Sequence, residues 1–167
     1  MKVGNCNNPV RSVSRRGVRL FLDTSVLLAA CGSAHGSSRA LFDYAPAQRW
    51  ELLASPWVVG ETVRNLRKLP PAATGEWSRL RPRLVIVDDV VSLDRALVFS
   101  VSKDKPVLLS ALASANVLLT LDRADFMGLL GHQFYGMPLM APSEFSKTSA
   151  QRVGCGDEVG ADRGTGQ

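Results

Sequence analysis

The chain has few residues of the types that form disulfides or bind soft metals. Its 167 residues include three cysteines and two histidines, and Cys6, Cys31 and Cys155 are widely scattered. An odd number of cysteines at this spacing fits neither a disulfide framework nor a zinc knuckle, so we expect three free thiols. His35 and His132 each stand alone in a turn-like setting. We interpret both as surface or packing residues rather than as metal ligands.

Long hydrophobic runs are also lacking. The longest, at 107–112 and 117–121, are far shorter than the roughly 18 residues that span a bilayer. The first residues include arginines but not the apolar core of a secretion signal, so we expect a cytoplasmic protein. A hydrophobic content of 46% over this length predicts one domain with one buried core.

An excess of charge is absent from most of the chain. The net charge of +5 comes entirely from residues 1–19, which hold five basic and no acidic side chains. Residues 20–145 hold 12 of each sign, and residues 146–167 hold three of each. We interpret 1–18 as a disordered basic arm that adds non-specific attraction to nucleic acid, or alternatively as an overlong gene start. The 146–167 tail, rich in Gly, Ser, Asp and Thr, is also predicted to be disordered.

Near the start of the 19–145 domain, a predicted strand ends at an acidic residue and is followed directly by a predicted helix. The apolar run 20–22 ends at Asp23, Thr24 and Ser25, and a helical pattern follows from Thr24 to about Ala30. In open α/β sheets, ligands bind beyond the carboxyl ends of the strands, where this carboxylate would lie. A helix-capping role explains Asp23 or Thr24 equally well when the stretch is considered alone.

Strand-like and helix-like patterns then alternate, which predicts an α/β fold with a parallel sheet. Further strands are predicted at 51–54, 84–87 and 117–120, all buried. Helices are predicted from Ser37 or Ser38 to Pro46, from Ser55-Pro56, over 72–80, from Ser92 to Phe99, and from about Lys103 to Asn116. Asp88 and Asp89 are interpreted as turn and capping residues.

Three further acids are candidates for the same site. Glu61 lies on the helix after Pro56, and because Val59, Val63 and Leu66 predict its core face, Glu61 is expected to point away from that face. A solvated Glu61 paired with Arg64 is the simpler interpretation of that residue. Asp104 precedes a helix, and Asp122 follows the 117–120 strand as Asp23 follows the first. Four clustered carboxylates require a cation, and hard ions such as Mg²⁺ or Mn²⁺ suit oxygen ligands.

Taken together, these motifs resemble those of the PIN-domain ribonucleases. The matching segments are Leu22-Asp-Thr-Ser25, Val58-Val-Gly-Glu-Thr-Val-Arg-Asn65, the stretch from Lys103 containing Asp104, and Leu118-Leu-Thr-Leu-Asp-Arg-Ala-Asp-Phe126. The resemblance covers about residues 19–145. It implies a three-layer α/β/α sandwich with a parallel sheet of about five strands, the last of them at 136–140. It also implies metal-dependent cleavage of RNA phosphodiester bonds.

The resemblance assigns a role to each motif residue. Asp23, Glu61, Asp104 and Asp122 would hold Mg²⁺ or Mn²⁺ and carry catalysis, with Asp125 as a fifth metal ligand or a helix cap. Thr24, Thr120 and Asn65 would hydrogen-bond to the metal ligands or to ordered waters. Lys103, Lys105 and Arg123 would contact RNA phosphates. Leu121 departs from the small or polar residue common in the family at that position, which would narrow the substrate path.

The resemblance leaves several functions open. A small PIN domain is commonly the toxin of a toxin-antitoxin pair, with an antitoxin covering the acidic crevice, and homodimers are common among relatives. A housekeeping RNA-processing nuclease, or an RNA-binding domain without turnover, would have the same motifs. A phosphatase with an aspartyl nucleophile at Asp23 is a remote alternative, because that chemistry requires a second acid where Ser25 stands.

Overall fold

A mixed sheet of six strands forms the centre of the fold. The computed structural model describes residues 17–92, 105–122 and 131–153, with side chains to residue 149. Within these residues the strands are β1 (Arg19–Leu22), β2 (Glu51–Ala54), β3 (Val85–Ile86), β4 (Val117–Leu119), β5 (Gln133–Phe134) and β6 (Met137–Met140). Six helices accompany them: α1 (Thr24–Gly32), α2 (Ser37–Gln48), α3 (Pro56–Leu66), α4 (Ala72–Leu80), α5 (Lys105–Ser114) and α6 (Pro142–Val153). The α/β class predicted from the alternating pattern is therefore confirmed.

The strand order places the acid-bearing strands at the middle of the sheet. The order is β3-β2-β1-β4-β6-β5, and all neighbours are parallel except β5 and β6. The chain moves outward from β1 to β3 and then returns to the other side of β1, so β1 and β4 flank a topological switch point. A crevice beyond the carboxyl ends of two such strands is where doubly wound folds bind ligands.

The central strands are buried because they are continuous apolar runs covered by helices. Leu20, Phe21 and Leu22 of β1, and Leu118 and Leu119 of β4, have no exposed surface. Parallel strands of this composition require cover on both faces. Helix α1 contacts α2, α3 and α4, while α5 contacts β1 and β4, an arrangement compatible with an α/β sandwich.

The sheet differs from the prediction at both edges. The five parallel strands are joined by antiparallel β5, which pairs with β6 through a tight turn at Tyr135 and Gly136. At the other edge, Val85 and Ile86 of β3 are 47% and 38% exposed, so the prediction of a buried strand there was wrong. Within the described residues β3 pairs only with β2, so it is an edge strand of the sheet. The apolar side chains of an edge strand have fewer neighbours than those of a central strand, which leaves Val85 and Ile86 partly exposed.

The predicted core face of α3 was wrong at Val63, although Leu66 is buried and Val59 packs against the core as expected. Val58, Thr62 and Leu66 are buried, whereas Val63 is 52% exposed. The buried positions recur at intervals of four residues, and Thr62 is accommodated in the core because its hydroxyl donates to the Val58 carbonyl at 2.8 Å. Glu61 therefore lies beside the buried face and not opposite it.

Two helices include residues that were not predicted to be helical. Helix α2 continues through Pro46 to Gln48. A proline in the last turn removes only the one hydrogen bond that its own N–H would have made to the carbonyl four residues earlier. Helix α6 runs to Val153, so the prediction that 146–153 belongs to a disordered tail was wrong. Phe145 anchors α6 by an edge-on contact with Trp50, with ring centroids 5.0 Å apart.

Several predictions fall on other parts of the chain. The basic arm up to residue 16, the helix predicted from Ser92 to Phe99 and the tail beyond Val153 lie wholly or mainly outside the described residues. Cys31 is a free thiol, as expected. Its side chain is buried, and this burial raises its pKa to about 11. No helix within the described ranges has the length and apolar character needed to cross a membrane.

Candidate functional site at the carboxyl edge of the sheet

Asp23 lies at the carboxyl end of β1 with its carboxylate enclosed by hydrogen-bond donors. The side chain is 7% exposed. Its Oδ1 accepts from the Thr24 backbone N–H at 2.7 Å, and its Oδ2 accepts from the hydroxyls of Ser25 and Thr120, each at 2.8 Å. Asp23 is also the N-cap residue of α1, so the capping role and a role in a site are both compatible with its position.

The environment of this carboxylate opposes its ionisation. Burial raises the pKa of Asp23 above its ordinary value, and the nearby Glu61 carboxylate raises the pKa further. The three hydrogen bonds favour the charged form and lower the pKa, but the effect of burial exceeds theirs. Because buried acids with a raised pKa are frequent at functional sites, Asp23 is a candidate for a functional group.

Glu61 joins the site through one hydroxyl. The Thr24 Oγ1 donates to Glu61 Oε2 at 2.9 Å, and this bond connects the first turn of α1 to the middle of α3. Glu61 is half-buried rather than solvated. The structure thus places this acid beside Asp23 and not in the exposed pair with Arg64 that the simpler interpretation predicted.

Thr120 connects Asp23 to the segment that carries Asp122. Besides donating to Asp23, its Oγ1 accepts from the Asp122 backbone N–H at 3.1 Å. Asp122 lies three residues past the end of β4 and is partly buried. In the described part of the chain, Asp23, Glu61 and Asp122 therefore come from three elements that meet at one edge of the sheet.

Ser25 is a member of the network to which the motif assigned no role. Its hydroxyl donates to Asp23 and accepts from the Leu121 backbone N–H at 3.0 Å. The available signal was a hydroxyl two residues after an acid at a helix start, a spacing that favours local side-chain hydrogen bonds. Ser25 thus holds the segment after β4 as well as the acid after β1.

No protein-family model matches this chain, and no curated protein matches it either. The resemblance to PIN domains consequently depends on the motifs and on where the fold places them. The placement of Asp23, Glu61 and Asp122 is compatible with that resemblance.

The remaining motif residues divide into two groups. Asn65 donates its side-chain amide to the Glu61 backbone carbonyl at 2.9 Å and does not reach the carboxylate through this bond. Lys105 begins α5 with an exposed side chain. Four other candidates lie outside the described residues: Lys103, Asp104, Arg123 and Asp125.

The described donors suit a hard cation, although they do not complete a site for one. Within residues 17–92, 105–122 and 131–153, no group of three or more His, Cys, Asp or Glu side chains is close enough to hold a metal ion. Asp23 and Glu61 nevertheless offer carboxylate oxygens, and the like charge of Glu61 raises the pKa of Asp23. Mg²⁺ or Mn²⁺ would offset that repulsion, with further ligands from Asp122 or the segments beyond.

Asp89 makes a further contact at the carboxyl edge of the sheet, with the first turn of α3. The Asp89 carboxylate accepts from the Trp57 backbone N–H, with distances of 3.1 and 3.2 Å to its two oxygens. Because Trp57 lies in the first turn of α3, Asp89 stabilises the start of that helix. The capping role predicted for the acidic pair is thus realised by Asp89 on α3, an element distant in sequence.

Proposed function

We propose that this chain is a metal-dependent ribonuclease of the PIN type, acting in the cytoplasm. The observation that carries the proposal is the buried Asp23 carboxylate at the carboxyl end of β1. It is bonded to Thr120 of the neighbouring strand's end and linked through Thr24 to Glu61 of α3. Under this proposal the helices complete a three-layer α/β/α sandwich around the sheet.

The ionisation of Asp23 supports a metal-binding role. Burial and the neighbouring Glu61 disfavour the anionic form of this carboxylate, which is 7% exposed, and a bound cation would favour it. Oxygen ligands favour Mg²⁺ or Mn²⁺ over softer ions, and the described residues contain no cluster of histidine or cysteine side chains that would favour the softer ones. Asp23, Glu61 and Asp122 would provide ligands, with Asp104 and Asp125 as the remaining acids of the motif.

The hydroxyl network would keep the acids in position during the reaction. Ser25 and Thr120 fix one oxygen of Asp23, and Thr24 fixes one oxygen of Glu61, so the carboxylates need little reorganisation to bind a cation. The bound ion would supply a water of lowered pKa and stabilise charge on the leaving oxygen. Lys103, Lys105 and Arg123 would contact RNA phosphates.

The biological setting follows from the same proposal. A toxin would require an antitoxin protein that covers the carboxyl edge, and a homodimer would be the expected assembly. A small neighbouring reading frame that encodes a DNA-binding fold would support the toxin, whereas its absence would support a solitary processing enzyme. An RNA-binding domain without turnover is the main alternative in function.

The test is metal-dependent cleavage by the full chain. Purified protein should cleave single-stranded RNA with Mg²⁺ or Mn²⁺ and stop in chelator. Asp23→Asn and Asp122→Asn should each lower the rate by about 100-fold or more, because even groups outside the ligand set commonly contribute tenfold or more.

Asp43→Asn is the matched control. Asp43 is an exposed acid of α2, 3.9 Å from Arg39, and its substitution should leave cleavage unchanged. Cleavage that persists in chelator would refute the metal mechanism. RNA binding without cleavage under any metal would identify the non-catalytic alternative, and full activity in Asp23→Asn would remove that residue from the site.

A further inference from the structure

Trp57 is a half-exposed aromatic side chain at the sheet edge that carries Asp23. Its side chain is 46% exposed. The register of β1 with β2 pairs Phe21 with Leu53, so Asp23 and Ser55 follow at the same level of the sheet. Trp57 lies two residues further along, in the first turn of α3. The indole therefore belongs to the same edge as the buried acid.

The helix geometry places Trp57 above the second acid. Trp57 and Glu61 are four residues apart on α3, so they lie one turn apart on the same side of the helix. Glu61 contacts Thr24 at 2.9 Å, which fixes this side of α3 toward the site. A ligand that extends from the acids along α3 would meet the indole next.

The backbone of Trp57 is held while its ring remains accessible. The Asp89 carboxylate accepts a hydrogen bond from the Trp57 backbone N–H. Pro56 restricts the backbone φ angle at the first position of the helix. The other two tryptophans are less accessible, since Trp77 is 9% exposed and Trp50 is partly buried and contacts Phe145. A fixed backbone with an accessible indole provides a binding surface that needs little ordering.

We propose that Trp57 stacks on a base of single-stranded RNA next to the cleaved phosphodiester. This inference rests on the proposed ribonuclease function and specifies how that site binds its substrate. Residues 20–145 have balanced charge, and the acids at the site repel phosphate, so electrostatic attraction alone is a weak source of affinity. Stacking on an aromatic ring is independent of that charge and tolerates every base.

The test measures RNA affinity separately from cleavage. A short fluorescein-labelled oligouridylate is titrated with the full-length wild type and Trp57→Ala in chelator, with fluorescence anisotropy as the readout. Trp57→Ala should weaken binding by about 5- to 150-fold, which corresponds to the usual contribution of one stacked base. Trp57→Phe should recover most of the affinity, because a smaller ring still stacks.

Two controls distinguish stacking from a general loss of structure. Tyr135 is also 46% exposed, but it precedes β6 and so lies at the opposite edge of the sheet; Tyr135→Ala should bind RNA as the wild type does. Oligouridylate with abasic sites should bind the wild type more weakly and should bind Trp57→Ala with no further loss.

The outcomes separate this inference from the ribonuclease proposal. Equal RNA affinity of Trp57→Ala and wild type would overturn stacking, as would the absence of RNA binding by the wild type, whatever the result of the cleavage assay. A change in oligomeric state in Trp57→Ala with unchanged RNA affinity would assign the indole to a protein interface and overturn the inference. A loss of RNA affinity in Trp57→Ala, but not in Trp57→Phe or Tyr135→Ala, would support stacking even if the wild type fails to cleave RNA.

Discussion

Asp23→Asn should stabilise the metal-free protein while it abolishes the proposed RNA cleavage. The substitution removes a buried charge and its repulsion by Glu61 but keeps groups that can hydrogen-bond to Thr24, Ser25 and Thr120. An amide oxygen can accept from the Thr24 N–H, and the two hydroxyls can rotate to accept from the amide nitrogen. We therefore expect the free energy of unfolding in chelator at neutral pH to rise by about 1–2 kcal/mol.

The pH dependence identifies the origin of this gain. Burial raises the pKa of Asp23, so its contribution to stability is present below the pKa of an unfolded aspartate and is lost as pH rises through the folded pKa. Each unit of elevation corresponds to about 1.4 kcal/mol. The stability difference between Asp23→Asn and wild type should consequently be small near pH 4 and should grow toward neutral pH.

Metal should reverse the order of the two proteins. Mn²⁺ at about 100 times its dissociation constant would stabilise the wild type by about 2.7 kcal/mol, whereas Asp23→Asn should gain much less. Urea unfolding followed by circular dichroism, with and without Mn²⁺, measures all four free energies. An Asp23→Asn variant that is less stable than wild type in chelator at neutral pH, or that gains as much from Mn²⁺, would refute this reasoning.

Three other substitutions test separate contacts. Thr24→Val removes the hydroxyl bonded to Glu61 and should lower RNA cleavage by about 10- to 100-fold, whereas Thr24→Ser should retain activity in the same assay. Hydrogen bonding from Arg39 lowers the pKa of Glu76, so Glu76→Gln should destabilise the protein at pH 7; urea midpoints should show the difference from wild type vanishing as pH falls below the normal glutamate range. Leu118→Ala in the fully buried β4 should lower the free energy of unfolding by about 2–5 kcal/mol, and a loss below 1 kcal/mol would show that the strand is not core.

The central part of the fold was predictable because local signals and burial agree there. The runs at β1, β2 and β4 are continuously apolar and end at polar residues, so their positions follow from the sequence. At the edge this agreement fails, since Val85 and Ile86 are apolar but lie on an outer strand. Only the strand order reveals that they are exposed.

The errors around α3 and α6 have different physical causes. Thr62 occupies a core position because its hydroxyl bonds to the backbone of its own helix, which a hydrophobicity pattern does not register. Helix α6 is largely polar and depends on the Phe145 contact with Trp50, a residue far away in sequence. Contacts between distant segments likewise decide that Ser25 holds the segment after β4 and that Asp89 caps α3.

The bond between Thr120 and Asp23 also has a consequence for assembly of the sheet. It joins residues 97 positions apart at the ends of β1 and β4, where apolar side chains would tolerate several alignments. A shift of one residue between these strands would turn the Thr120 hydroxyl away and leave a buried carboxylate without one of its donors. The carboxylate proposed for catalysis therefore also helps to fix the register of β1 and β4 during folding. Mutations that weaken its bond to Thr120 should increase the fraction of molecules with misaligned strands as well as reduce activity.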